Sequence, residues 1–136
     1  MTTLNEAKEA CYLRFTSNFT GVVASRIAAD NEEIETPDTG EWVRISIKSL
    51  TRRQDTLGAL GNRRFRSTAI VFVQVYTQSN TGVKQSDTLA VEAANIFEGV
   101  SFSGLDFYEV IIRETGVNGK WYQSVVEAKF DYDEIK

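Results

Sequence analysis

Arg63-Arg64-Phe65-Arg66-Ser67-Thr68-Ala69-Ile70-Val71-Phe72-Val73-Gln74-Val75-Tyr76-Thr77-Gln78 is the stretch on which the fold turns. Its second half, Ala69 to Tyr76, is almost wholly apolar and rich in β-branched and aromatic residues, the composition of a strand buried on both faces. Its first half closes a basic, glycine-containing segment, Thr51 to Arg66, that has no apolar period. The pattern predicts a central strand fed by a flexible basic loop over 51–66. A loop of that length in a compact domain is usually functional or disordered.

Working outward, Trp42 to Leu50 alternates: Val43, Ile45 and Ile47 point one way, Arg44, Ser46 and Lys48 the other. That is a half-buried strand of an antiparallel sheet. Leu105 to Thr115 and Lys120 to Tyr132 read as two more strands joined by a Gly116-Val117-Asn118-Gly119 hairpin turn. In the last strand, Tyr122, Ser124, Val126, Ala128, Phe130 and Tyr132 form the expected core side. Asp131 and Asp133 then read as solvated charges blunting an edge strand.

Two helices complete the pattern. Leu4, Ala7, Cys11 and Phe15 recur at helical spacing behind a Thr3-x-x-Glu6 capping box, predicting a helix from about Leu4 to Ser17. Leu89, Ala90, Ala93, Ala94, Ile96 and Phe97 share one face of a second, from about Lys84 to Phe97 and ended near Gly99. Gly21 to Glu41 is weakly patterned, with Val22-Val23 as a short strand start and an acidic run, Asp30 to Glu35, before a Pro37-to-Gly40 turn. Another turn is expected over Gln78 to Gly82. The fold class expected is α+β: two helices packed on one face of a largely antiparallel (mixed) sheet, in the order α-β-β-α-β-β, as a single domain over residues 1–136.

The chain has no histidine and one cysteine, Cys11. This removes the commonest general base, the commonest metal ligand and every Ser-His or Cys-His pair. Cys11 reads as a small core residue. Asp30-Asn31-Glu32-Glu33 lacks the regular comb of oxygens of a calcium loop, and Gly58 to Arg63 lacks the spacing and lysine of a phosphate-cradling loop. No catalytic, cofactor or metal residue is expected. Neither a signal peptide nor a membrane span is visible, so synthesis in the cytoplasm is expected.

Net charge is −4, unevenly spread. Segment 51–66 holds Arg52, Arg53, Arg63, Arg64 and Arg66 against Asp55, while the rest carries ten basic and eighteen acidic residues. One cationic loop on an acidic body argues against general nucleic-acid binding, which needs a basic face. It fits a loop that docks on an acidic protein surface, such as a neighbouring copy, or a set of solvated arginines.

Several segments together resemble the tail-terminator (tail-completion) proteins of long-tailed bacteriophages, the family typified by the minor tail protein U of lambda-like phages. They are Arg26 to Asn31, Pro37, Gly40 to Ile47, Gly61 to Arg66, the central strand, Gly82, Trp121 to Gln123, and Phe130 to Glu134. The family's glycine before the central strand is replaced here by Ser67-Thr68. The resemblance implies a non-enzymatic virion protein, made in the host cytoplasm and resident in the tail. Such proteins form a hexameric homo-oligomer that caps the tail tube, stops its polymerisation and offers the surface for head joining. The implied partners are further copies, the major tail tube protein and a head-completion or connector protein, with no cofactor. On that basis Arg52, Arg53, Arg63, Arg64 and Arg66 are expected to make ring or tube contacts, and their replacement by Glu to spare folding and block assembly. Trp42 and Trp121 are of the type enriched in interface hot spots, although partial burial under a loop accounts for them equally. Two other classes compete: another head–tail joining or minor tail component, and a small carboxylate-based enzyme or ligand-binding module.

Overall fold

The ladder around the central strand runs further than its apolar residues do. The computed structural model describes residues 3–22, 27–29, 40–78, 84–119 and 121–136. Strand β2 (Trp42–Gln54) pairs antiparallel with β3 (Arg64–Gln78), which pairs antiparallel with β6 (Trp121–Ile135) along its whole length. On the far side of β6 lies β5 (Leu105–Asn118), edged by the two-residue β4 (Ser101–Phe102); on the far side of β2 lies β1 (Ile27–Ala29), the parallel member. The order across the sheet is β1-β2-β3-β6-β5-β4.

The expected fold class does not hold. Strands occupy 54% of the described residues, in one curled, mixed, six-stranded half-barrel sheet, and the elements do not follow α-β-β-α-β-β. The physical reason is length. Residues 51–54, 64–68 and 133–135 are mostly polar, lack an apolar alternation, and are nevertheless held in the ladder by backbone pairing. Strands β1 and β4 are too short to show a period of two. Among the described residues the expected loop 51–66 is confined to 55–63. Equally, β6 is an inner strand and not the expected edge.

Helix α1 (Leu4–Asn18) starts where expected, its Thr3 hydroxyl accepting from the Glu6 amide at 3.3 Å. Helix α2 spans Lys84–Phe97. Their buried residues, Ala7, Cys11 and Phe15 on one and Leu89, Ala93 and Phe97 on the other, share one cluster with alternate strand residues such as Val73 and Val126. Two polar links fix the helices. Arg14 donates from Nε to the Ile96 carbonyl at 2.8 Å, at the end of α2, where a cation suits the helix dipole. Glu92 accepts from the Thr20 amide and hydroxyl at 2.8 and 3.0 Å. Of the expected core side of β6, Ser124, Val126, Ala128, Phe130 and Tyr132 are buried, while Tyr122 is half-buried. In β3, Ala69, Val71, Val73 and Val75 are fully covered, whereas Phe72, Gln74 and Tyr76 on the other face are half-buried.

The hairpin turn between β5 and β6 is tighter than the expected 116–119, because Asn118 already pairs with Trp121. Gly116, at φ +91°, sits instead beside a bulge between Glu114 and Gly116, where a left-handed residue is needed. The expected features at Val22-Val23, Asp30 to Glu35, Pro37 to Gly40 and Gln78 to Gly82 lie wholly or partly outside the described residues.

Candidate functional site

The sequence-predicted residues fall into two groups at opposite ends of the same strands. Arg52, Arg53, Arg63, Arg64 and Arg66 gather where 51–54, 64–68 and 131–135 lie side by side. Trp42 and Trp121 lie at the other end, opposite Tyr76 and Gln78. From Phe65 to Tyr76 along β3 is roughly 35 Å at strand rise. The structure does not bring the arginines and the tryptophans together.

At the cationic end the C-terminal half of β6 supplies a partner set that the sequence did not place there. Arg66 bridges Asp131 at 3.1 Å and Asp133 at 3.4 Å. Asp131 also accepts from the Thr68 hydroxyl at 2.7 Å, and Arg52 pairs with Glu134. Arg64 lies 3.8 Å from Asp133, and Arg53 pairs with Asp55 at 2.8 Å. The hydrogen bond to Asp131 is the main cause that raises the Arg66 pKa, holding its guanidinium charged. Arg63 exchanges backbone hydrogen bonds with Lys136 at 2.9 and 3.3 Å, which extends the ladder past Arg64. Around Phe65, the charged groups of Arg52, Arg63 and Lys136 stand 5.5, 5.5 and 5.2 Å from the ring centroid. The expected set of docking arginines is thus largely engaged within its own chain.

Beyond this ionic end, 55–63 forms a tip with its own internal bonds. The Asp55 amide donates to the Arg64 carbonyl at 2.8 Å, and the Arg64 amide to the Thr56 hydroxyl at 3.0 Å. The Asn62 amide donates to the Ala59 carbonyl at 2.9 Å, closing a turn whose third residue, Gly61, has φ +93°. A positive φ there is the mark of a type II turn. The turn presents Leu60 at 84% exposure, and Leu57, just before it, is 97% exposed. Sequence reasoning passed over both leucines. Their signal was present, as two large apolar residues in a segment without period, flanked by glycines. Behind the tip, Leu4, Leu50, Thr51, Arg52, Ser67 and Tyr132 line a cleft of about 240 Å³.

At the opposite end Trp42 is buried and stacks on Tyr76, ring centroids 4.2 Å apart and planes 9° apart. Trp121 meets Trp42 edge-on at 6.3 Å, and the Arg44 guanidinium lies 6.0 Å from the Trp42 ring. The indole Nε1 of Trp42 has no hydrogen-bond partner among the described residues. Burial raises the Tyr76 pKa, with Arg44 opposing the shift. Trp42 therefore packs within its own chain. Cys11 is fully buried and its thiol is pushed up to about 12 by desolvation, as suits a core residue.

Among the described residues no group of three or more His, Cys, Asp or Glu side chains is placed to hold a metal ion. Asp30-Asn31-Glu32-Glu33 lies outside them. An open groove of about 440 Å³ between α1 and α2 has Arg14, Asn18, Thr88, Glu92 and Asn95 among its walls, but Glu92 is already bound to Thr20. No described helix is long and apolar enough to cross a membrane.

No family model and no curated protein matches the chain. Solved structures do match it in three dimensions. One has a TM-score of 0.67 over 94% of this chain and 94% of its own, at 14% sequence identity. At that identity the likeness speaks for the fold alone.

Proposed function

We propose that this chain is a structural tail-terminator protein of a long-tailed bacteriophage. In this reading it assembles as a hexameric ring on the tail, caps the tube, ends its polymerisation and presents a surface for head joining. Its partners are further copies of itself, the tail tube protein and a head-completion protein. The observation that carries the reading is the tip at 55–63: two nearly naked leucines, Leu60 in a closed turn and Leu57 just before it, in a segment whose flanks carry five arginines, on a chain whose remainder is acidic. Burying a leucine contributes about 1.5–3 kcal/mol, whereas an exposed ion pair contributes about 0–1 kcal/mol. The leucines therefore supply the contact energy, and Arg53 and Arg63 orient the approach. Arg52, Arg64 and Arg66 brace the platform beneath. The resemblance in Gly61 to Arg66, Trp121 to Gln123 and Phe130 to Glu134 supports the same reading. A second reading, another head–tail connector on the same kind of domain, draws on the same tip and differs in ring order and in the tube end it meets.

Tail tube subunits polymerising in the presence of the purified chain test the proposal. The expected result is a halt in tube growth with a ring at the tube end, lost in the Leu57→Asp/Leu60→Asp variant. Tubes that grow unchecked and bind no chain would overturn it.

A further inference from the structure

We infer that the tip of one copy seats in the cleft of the next, with Leu57 and Leu60 entering the space bounded by Leu4, Leu50 and Tyr132. The inference rests on the ring reading above and names the surface that receives the tip.

A fault in the ladder builds the cleft. Ser49 faces Ala69 and Thr51 faces Thr68, so Leu50 is the extra residue of a bulge. A bulge breaks the alternation of a strand and re-aims a side chain. Before it, Ile47 faces the core; beyond it, Arg52 pairs with buried Ser67 on that same side. Leu50 thereby joins Leu4 of α1 on the walls, above Ser67 and Tyr132, each 3% exposed. Arg52, held by Glu134, completes one wall. Leu50 itself stays 51% exposed, so the apolar rim is open.

Three observations select a second copy of this chain as the occupant. The first is complementarity. Leu57 and Leu60 are the most exposed large apolar side chains among the described residues, and Leu60 projects from a closed turn. One contact covers both this knob and the apolar rim, and removing the two from water together is the favourable term. The second is reach. From Leu50 to the base of the tip at Gln54 is roughly 13 Å at strand rise. That base is clamped, Gln54 pairing with Phe65 and Arg63 exchanging backbone hydrogen bonds with Lys136. A tip held this way points on from the sheet and does not fold back into its own cleft. The third is the chemistry of the other hollows. The groove between α1 and α2 presents Arg14, Asn18, Glu92 and Asn95, and a cleft of about 250 Å³ beside β6 presents Arg64, Arg66, Asp106 and Asp133. A leucine entering either would desolvate charged groups without pairing them.

Tip and cleft are different surfaces, so the contact is heterologous, and such a contact closes a ring when its rotation closes.

Disulfide trapping between two variants tests the junction. A Leu60→Cys chain and a Leu50→Cys chain are mixed in equal amounts under ring-forming conditions, alone or on tail tubes, and oxidised. The native Cys11 is fully buried and does not compete. The expected result is that tip-to-cleft disulfides exceed tip-to-tip and cleft-to-cleft disulfides at least tenfold. Leu50→Asp, at a half-exposed position, is expected to keep the wild-type circular dichroism while lowering ring formation at least tenfold. Rings whose disulfides are distributed at random, or rings that folded Leu50→Asp forms at the wild-type level, overturn the junction and leave the ring reading standing. Chains that form rings neither alone nor on tubes overturn both.

Discussion

The two ends of the sheet hold the same three strands together by different means. At one end Trp42, Tyr76 and Trp121 pack ring against ring, with Trp42 buried. At the other, Arg52, Arg64 and Arg66 meet Asp131, Asp133 and Glu134 in half-exposed ion pairs. The dry end draws its stability from area removed from water, and salt hardly touches it. The wet end gains little per pair but keeps its backbone ladder next to solvent. An end that must meet a partner is better built the second way, because little apolar surface is committed inside the chain. The most exposed large apolar side chains, Leu57 and Leu60, are at the tip.

Substitutions separate the two ends. Trp42→Ala is expected to cost about 3–5 kcal/mol in urea unfolding, with no dependence on salt, since it removes a buried ring and its stack. Arg66→Glu, which would face Asp131 and Asp133 with a third acid, is expected to cost about 2 kcal/mol and to be partly relieved by 1 M salt. On this account the expectation that loop arginines tolerate Glu is kept for Arg53 and Arg63 and given up for Arg66, which meets two carboxylates. Between the ends, Cys11 contributes stability that is fully present below its unfolded pKa near 9.0 and is lost as pH rises toward about 12. The folded state keeps the thiol neutral while the unfolded state ionises it, so stability falls with rising pH by about 1 kcal/mol per unit across that window. Cys11→Ala is expected to flatten that slope in denaturant titrations at pH 8–11. Smallest of all, Leu57→Asp/Leu60→Asp should shift the unfolding free energy by less than about 0.5 kcal/mol, as surface changes do. A loss of several kcal/mol there would mean that the tip packs on the body, and the contrast between the ends would disappear.

How much of this was legible varied with how local the cause was. The capping Thr3, the apolar stripes of both helices, and the alternation in β2 and β6 are local patterns, and they located those elements, although β2 and β6 run on to Gln54 and Ile135. The pairing of β3 with β6 joins residues some 60 positions apart, such as Thr68 and Asp131, and no local period encodes it. That pairing turned an expected edge strand into an inner one, and together with the β2–β3 pairing of 51–54 it turned about half of the expected loop into ladder. It also changed the arginines from free docking groups into braced ones. The charge imbalance of 51–66 was visible, but its neutraliser was hidden in a distant strand. Leu57 and Leu60 were visible too. What the residues alone could not supply was their exposure.

The most direct test of the central claim is solution mass across concentration by native mass spectrometry, with negative-stain images of the same samples, for the wild-type chain and Leu57→Asp/Leu60→Asp. The account predicts six-membered rings that grow with concentration in the wild type and are absent in the variant, with both monomers equally folded. Rings of equal abundance in both proteins would contradict it.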